Sequence, residues 1–341
     1  MLKSLNAEKQ GVIYAFLHFA IEVICFYRLF SEQSEWDSIW LCALIYDALA
    51  FVPQSFFGVL TDKYPKFKAA PSGFLLAALS FLPLGKTAKI ILLSLGNALV
   101  HIAGANATLR GANGKTAPAG IFVGGGSFGV ITGQLLGKSG STEMLLLPLG
   151  LCLIGFLATL ILPRYTDMTA PAAGFKEADE KRPTSLIVPL MFITVAARAY
   201  IGYAIPTAWN KKTWQTVMLF VCMGIGKMLG GIFADCVGSR KTAVTSLLLA
   251  LPFLLFGDKL MAVSLLGVLL FSMTMPLSLG VLTSVLPDQP GLAFGITTVG
   301  LFTGTLPVFF INLPGMAAHI LVVTVLSLAA AACFYVCAAD K

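Results

Sequence analysis

Charge is what this sequence has least of. Only 11% of its 341 residues are Asp, Glu, Lys or Arg, against 57% hydrophobic ones, where a soluble domain carries roughly 25% charge. That scarcity excludes a soluble enzyme and a nucleic-acid-binding module. It also excludes a single anchor bearing a soluble domain, because no stretch is polar enough to form one. Histidine is scarce too, with three residues at 18, 101 and 319. No Gly-x-Ser-x-Gly or His-Glu-x-x-His pattern accompanies them, so an intramembrane enzyme is not expected, nor is a cofactor or a bound metal. The seven cysteines fall nearly all in apolar runs and pair with no histidine at metal-ligand spacing, the pattern of small core residues. No cleavable signal peptide is expected, because the first apolar run, 11–30, has span length and contains Glu22.

What the sequence has in abundance is continuous apolar runs, unlike the short alternating segments of an outer-membrane barrel. With about 20 residues needed to cross the hydrocarbon, twelve runs qualify: 11–30, 38–60, 70–84, 88–109, 118–136, 144–163, 185–207, 214–234, 243–257, 260–286, 291–312 and 315–337. The third and ninth are short and are expected to extend into the loops before them. The fold class is therefore an all-α polytopic membrane protein. The longest polar stretch, 163–185, divides six runs from six. We expect an N-terminal bundle over 1–163, a solvated cytoplasmic linker over 164–184 and a C-terminal bundle over 185–341.

The net charge of +7 reports orientation. With an even number of spans both termini share a face. Fourteen of the 23 Lys and Arg fall on that face and six on the other, while Arg28, Arg198 and Lys227 lie within spans. This bias predicts a multi-pass protein of the cell (inner or cytoplasmic) membrane with both termini cytoplasmic. Trp36, Trp40, Trp209 and Trp214 all fall at the outer ends of spans, as an interfacial belt requires.

A shift of 173 residues aligns the halves. Trp36 meets Trp209, Gly58 meets Gly231 and Asp62 meets Asp235. Parallel six-span repeats are an architecture of secondary transporters, with the substrate site near the midplane between the halves. The second run ends in Gly58-x-x-x-Asp62-Lys63, with Pro65, Lys66 and Lys68 behind it. The eighth ends in Gly231-x-x-x-Asp235, followed by Gly238, Arg240 and Lys241. Glycine admits a close helix neighbour, and the aspartate can meet a helix N-terminus or a basic side chain of the opposite bundle. These residues are candidate parts of a cytoplasmic gate.

Ionisable residues at membrane depth are costly and mark function. His18 and Glu22 stand one turn apart on a single helix face. Burial disfavours the charge of Glu22 while a nearby cation favours it, so Glu22 and His18 are the proton-coupling candidates. Arg198, mid-span, presents a fixed fork for a carboxylate, phosphate or phosphonate. With Arg28, His101, Asn97 and Tyr200 it makes up the candidate substrate-binding set. For Asp47 and Lys227 a structural ion pair is expected. Span five, with Gly124, Gly125, Gly126, Gly129 and Gly133, reads as a packing face.

The two Gly–Asp loops resemble the signature of the major facilitator superfamily, G-x-L-A-D-R-x-G-R-K, and the resemblance covers the whole chain. Pro65 stands where the second copy has Gly238. Four segments look like the fosmidomycin-resistance branch: His18–Glu22 is similar to its H-x-x-x-D, Ala98–Gly104 to its A-x-F-H-P-x-G, Val123–Gln134 to its V-G-G-N-x-G-x-x-x-G-P, and Arg198 with Pro206 to its R-x(7–9)-P. Gln134 stands where such exporters carry proline. The resemblance implies a twelve-helix fold of two pseudo-symmetric six-helix bundles. It also implies a proton-coupled, alternating-access exporter of small polar organic compounds or drugs, with proton-symport uptake as the alternative. The expected partners are a small-molecule substrate, protons and the lipid bilayer, with no nucleic acid, and the expected state is a monomer. The interior cations and histidines tilt the substrate toward an anion.

Overall fold

The computed structural model describes residues 7–32, 38–140, 142–162 and 168–340. Trp36, Lys3, Arg164 and Lys341 lie outside them. The described chain is helical, and its only bridge pairs Ala178 with Ala338. The first half consists of α1 (Ala7–Ser31), α2 (Ile39–Phe51), α3 (Pro53–Lys63), α4 (Ala69–Leu79), α5 (Lys86–Gly111), α6 (Ala117–Lys138) and α7 (Leu146–Ile161). The second consists of α8 (Thr184–Ala204), α9 (Thr213–Val237), α10 (Ser239–Phe256), α11 (Met261–Ser272), α12 (Thr274–Val285), α13 (Pro290–Thr305) and α14 (Gly315–Cys337). The pairs α2–α3 and α11–α12 each form one interrupted span, so the twelve expected runs appear as twelve crossings. Eleven are long enough to span alone, and α4, at 11 residues, is the short one. The ninth run begins four residues early, at Ser239, as expected from its length.

The 173-residue repeat governs the whole scaffold. Moved by that shift, Lys86–Gly111 falls on 259–284, matched by α11–α12, and Ala117–Lys138 falls on 290–311, matched by α13 and the turn after it. Every other span finds its counterpart within a few residues. The interruptions break the symmetry. The second span is cut at Pro53, whose ring cannot donate a helical hydrogen bond, whereas its counterpart α9 is continuous. The tenth span is cut at Met273, just before Pro276, whereas its counterpart α5 is continuous.

Two apolar cores form. One gathers Ile21, Ile24, Phe74, Leu93, Ile102 and Phe122 of the first half, and the other gathers Ile187, Met191, Leu254, Val281 and Phe334 of the second. Met275, Leu279 and Phe294 of the second half pack into the first core and join the bundles.

Helices α1 and α6 pack backbone to backbone along their length. Gly125, Gly129, Gly133 and Gly137, each one turn apart, meet the backbone of Ala15, Phe19, Val23 and Tyr27, also one turn apart. A Cβ at Gly133 would sit 2.6 Å from the Val23 carbonyl. This small-residue stripe lets the backbones touch, which is how helices associate in lipid. It confirms the packing role of span five and sets the depth at which α1 holds His18 and Glu22.

The linker departs from expectation. Its residues 168–183 are not a solvated strap. Ala172, Phe175, Glu177 and Ala178 are buried. The linker backbone bonds to Pro287, Cys337 and the Ser284 hydroxyl, and it accepts from Ala339. Ala172, Phe175 and Ala178 pack inward beside the buried Glu177, while Lys176, Glu180, Lys181 and Arg182 stay exposed; net polarity alone concealed this.

Gly133→Leu should collapse the α1–α6 contact, since overpacking costs about 1–3 kcal/mol and neither backbone can retreat. Gly150→Leu, at a glycine with open space around it, should be tolerated. Thermal unfolding of the two detergent-solubilised variants, followed by size-exclusion chromatography, checks the contrast.

Candidate functional site

Three buried side chains converge from α1 and α5. The Glu22 Oε1 atom lies 3.2 Å from His101 Nε2 and 3.6 Å from His18 Nε2. The imidazoles meet edge-on, with ring centroids 4.2 Å apart. Asn97, one turn before His101, donates to Glu22 Oε2 at 3.4 Å and to the Tyr46 hydroxyl of α2 at 3.0 Å. Gly126 makes the room: a Cβ there would collide with the His18 ring.

The histidine tautomers follow from their other contacts. His18 Nδ1 faces the Phe122 carbonyl at 2.8 Å, and His101 Nδ1 faces the Asn97 carbonyl at 2.9 Å. A carbonyl oxygen can only accept, so each Nδ1 carries the hydrogen. In the neutral rings each Nε2 is then a lone pair, and both lone pairs point at a carboxylate oxygen. Acceptor facing acceptor is unfavourable at membrane depth. One further proton, carried by Glu22 or by an imidazole, turns the repulsion into a hydrogen bond. The three donor atoms lie within 4.8 Å of one another, a spacing that also suits a small divalent cation, so a chelator control belongs with any measurement on them.

The second half presents cations instead. Arg198 of α8 is 8% exposed; its guanidinium lies over the Phe271 ring, 5.5 Å from the centroid, and its Nη1 meets the Met275 sulfur at 3.3 Å. Its Nε is buried without a partner. Lys227 of α9 donates to the Ser127 hydroxyl of α6 at 2.7 Å. The structural ion pairs expected for Lys227 and Asp47 do not form among the described residues. Lys227 meets the Ser127 hydroxyl instead, and Asp47 is left within electrostatic reach of Glu22 and Tyr203.

The two Gly–Asp loops make reciprocal latches. Asp62, at the end of α3, accepts from the backbone N–H of Gly291 and Leu292 at 3.0 and 2.9 Å, the first turn of α13. Asp235, near the end of α9, accepts from Thr116 and Ala117 at 2.6 and 3.0 Å, the first turn of α6. Each carboxylate satisfies orphan donors at a positive helix end of the opposite half. Gly58 and Gly231 stand one turn before the aspartates, where a Cβ would strike the Gly291 and Thr116 backbones. The latch side of the molecule is therefore closed. A cavity of about 460 Å³ lies within the first half directly behind the Asp62 loop, beside Tyr14, Phe67, Pro71 and Met168, and none of the buried ionisable groups of the cluster lines it.

Other expected site residues lie apart. Arg28 pairs with Glu32 at 2.7 Å, which also binds Lys89, and stacks over Phe81 at the far end of α1. Tyr200 forms no side-chain hydrogen bond among the described residues. Lys63 is exposed and lies over Tyr64 rather than in the latch. Gly238 ends α9 with a positive φ of 93°, and Arg240 binds Asp179 and the Ala338 carbonyl, tying the linker and the C-terminus. Arg110, read from sequence only as an orienting charge, is the basic member of the first latch. It bonds Asp62 at 3.1 Å, Asn106 at 2.6 Å and the Ala170 carbonyl. The signal was Asn106 and Arg110 one turn apart at a helix end.

Two repeat-related halves are thus joined by reciprocal aspartates, with a buried carboxylate–imidazole cluster in the first. No family profile and no curated protein matches the chain by sequence. Solved structures do. The chain is similar to the Escherichia coli fucose:proton symporter FucP, with a TM-score of 0.67 and 14% identity over 95% of this chain and 96% of that one. It is similar to the human organic anion transporter MFSD10, with a TM-score of 0.63 and 16% identity over 96% of this chain and 99% of that one. The fold is that of the major facilitator transporters.

The latches can be opened by mutation, since charge-assisted hydrogen bonds contribute about 1.5–3 kcal/mol each. In a protein whose exposed Cys236 is serine, Thr116→Cys should react slowly with a membrane-impermeant maleimide, because Thr116 is buried. Adding Asp62→Asn and Asp235→Asn should raise that rate tenfold or more.

Proposed function

We propose that the protein is a proton-coupled secondary transporter working by alternating access, with a small polar organic compound as its substrate. The observation that carries this reading is the Glu22 carboxylate facing two imidazoles whose Nδ1 hydrogens are already committed. Such a cluster takes up or gives up one proton with little rearrangement, as a carrier of protons must. Glu22 with His18 and His101 holds the proton. Arg198, across the interface, contacts the substrate, and Asn97 positions Glu22. The Asp62 and Asp235 latches close one side while the other is open. The protein acts as a monomer in the cell membrane with both termini cytoplasmic, without catalytic chemistry or a resident cofactor.

Export in exchange for protons is the direction implied by the fosmidomycin-resistance resemblance. Uptake together with protons is the second reading, favoured by Gln134 at the position where such exporters carry proline.

Glu22→Gln removes the titrating group while keeping its shape. In an efflux-deficient bacterium given fosmidomycin and a panel of toxic compounds, the wild type should confer resistance and the variant should not, if the direction is export. If it is uptake, an inward proton gradient should drive accumulation in proteoliposomes of the wild type alone. In either case the variant should retain substrate exchange. Full gradient-driven transport by Glu22→Gln would overturn the assignment.

A further inference from the structure

Two cations face the membrane interior of the second half with no carboxylate within 4 Å among the described residues. Arg198 has an idle buried Nε, and its Nη1 meets only a thioether, a weak acceptor. Lys227 has three N–H donors and gives one to Ser127. A planar aromatic face, Phe271, holds the guanidinium in place. Lys227 lies within electrostatic reach of both Arg198 and Glu22, so the two cations and the proton cluster share one region between the halves. The nearby acids are engaged or distant: Glu22 is held by His18, His101 and Asn97, and Asp47 touches neither cation.

Buried charge persists in a membrane protein where something compensates it during the working cycle. A neutral solute would leave both cations uncompensated, and a cationic solute would add a third. We propose that Arg198 and Lys227 together receive the acidic group of an organic anion, a carboxylate or phosphonate, and that this anion loads with the proton rather than against it. The second clause rests on the proton-carrier reading of Glu22.

Its physical basis is a charge balance. With the cluster deprotonated, Glu22 supplies negative charge that Lys227 feels. A proton on the cluster cancels that charge and leaves both cations to an anion. Linkage makes the effect mutual: bound anion must raise proton uptake by the same factor that the proton raises anion affinity. Proton and anion then travel together, which is symport. An antiporter requires the opposite sign, each ligand displacing the other. The groups facing the cluster from its neighbours, namely Tyr46, Cys25 and Asp47 as well as the two cations, supply no other mobile positive charge.

The test uses the full-length protein in lipid nanodiscs, with benzoate, its neutral twin benzamide, and methylphosphonate as probes. Thermal unfolding and proton uptake from a weakly buffered solution are read together. Benzoate or methylphosphonate should stabilise the wild type, and benzamide should not; which anion acts distinguishes a carboxylate site from a phosphonate site. Lys227→Met and Arg198→Gln should each weaken the stabilising anion tenfold or more. Proton uptake should accompany the anion and vanish in Glu22→Gln. Equal stabilisation by benzamide or no response to either anion overturns the anion site. Anion binding without proton uptake leaves the site standing and overturns the proton-carrier reading instead.

Discussion

The structure turns on one contact: a carboxylate buried at membrane depth with two imidazole nitrogens aimed at a single oxygen. The backbone fixes that geometry. Each Nδ1 is spent on a carbonyl, so neither ring can turn its hydrogen toward Glu22 without losing a buried hydrogen bond. The carbonyls belong to α6 and α5, and the glycine stripe of α6 brings α1 close enough for His18 to reach Phe122. In its unprotonated form the cluster sets acceptor against acceptor.

The repeat supplies a symmetric frame, and the chemistry on it is asymmetric. The positions equivalent to His18, Glu22 and His101 in the second half are Met191, Val195 and Thr274. The positions equivalent to Arg198 and Lys227 in the first are Cys25 and Gln54. The carboxylate–imidazole cluster sits on one bundle and the buried Arg198 and Lys227 on the other. The latches, by contrast, keep their symmetry, with Asp62 on the first turn of α13 and Asp235 on the first turn of α6.

Much of the frame was legible in the sequence because lipid imposes a simple rule. Every span must be apolar and long, so twelve runs could be counted, and Gly58, Asp62, Gly231 and Asp235 announced the latches by their shared offset. Glu22 and His18 were visible as ionisable residues one turn apart. Three features were not legible. His101 is 79 residues from Glu22, and only the packing of α5 on α1 unites them. Arg110 was one basic residue among many at span ends, its role set by the position of Asp62. The linker's burial was hidden because Ala172, Phe175 and Ala178 are scattered through a run that reads as polar. Arg28 misled in the other direction: its place in a span suggested substrate, while Glu32, one turn on, supplies its partner at the helix end.

The most direct measurement of the central claim is infrared spectroscopy of the protein in membranes across a pH titration, with Glu22 identified by the signal that Glu22→Gln removes. The account predicts that the Glu22 carboxyl and the imidazole bands change together, as one shared proton, and that His101→Asn shifts the pH at which Glu22 responds. A Glu22 signal that titrates alone and ignores the loss of His101 would contradict it.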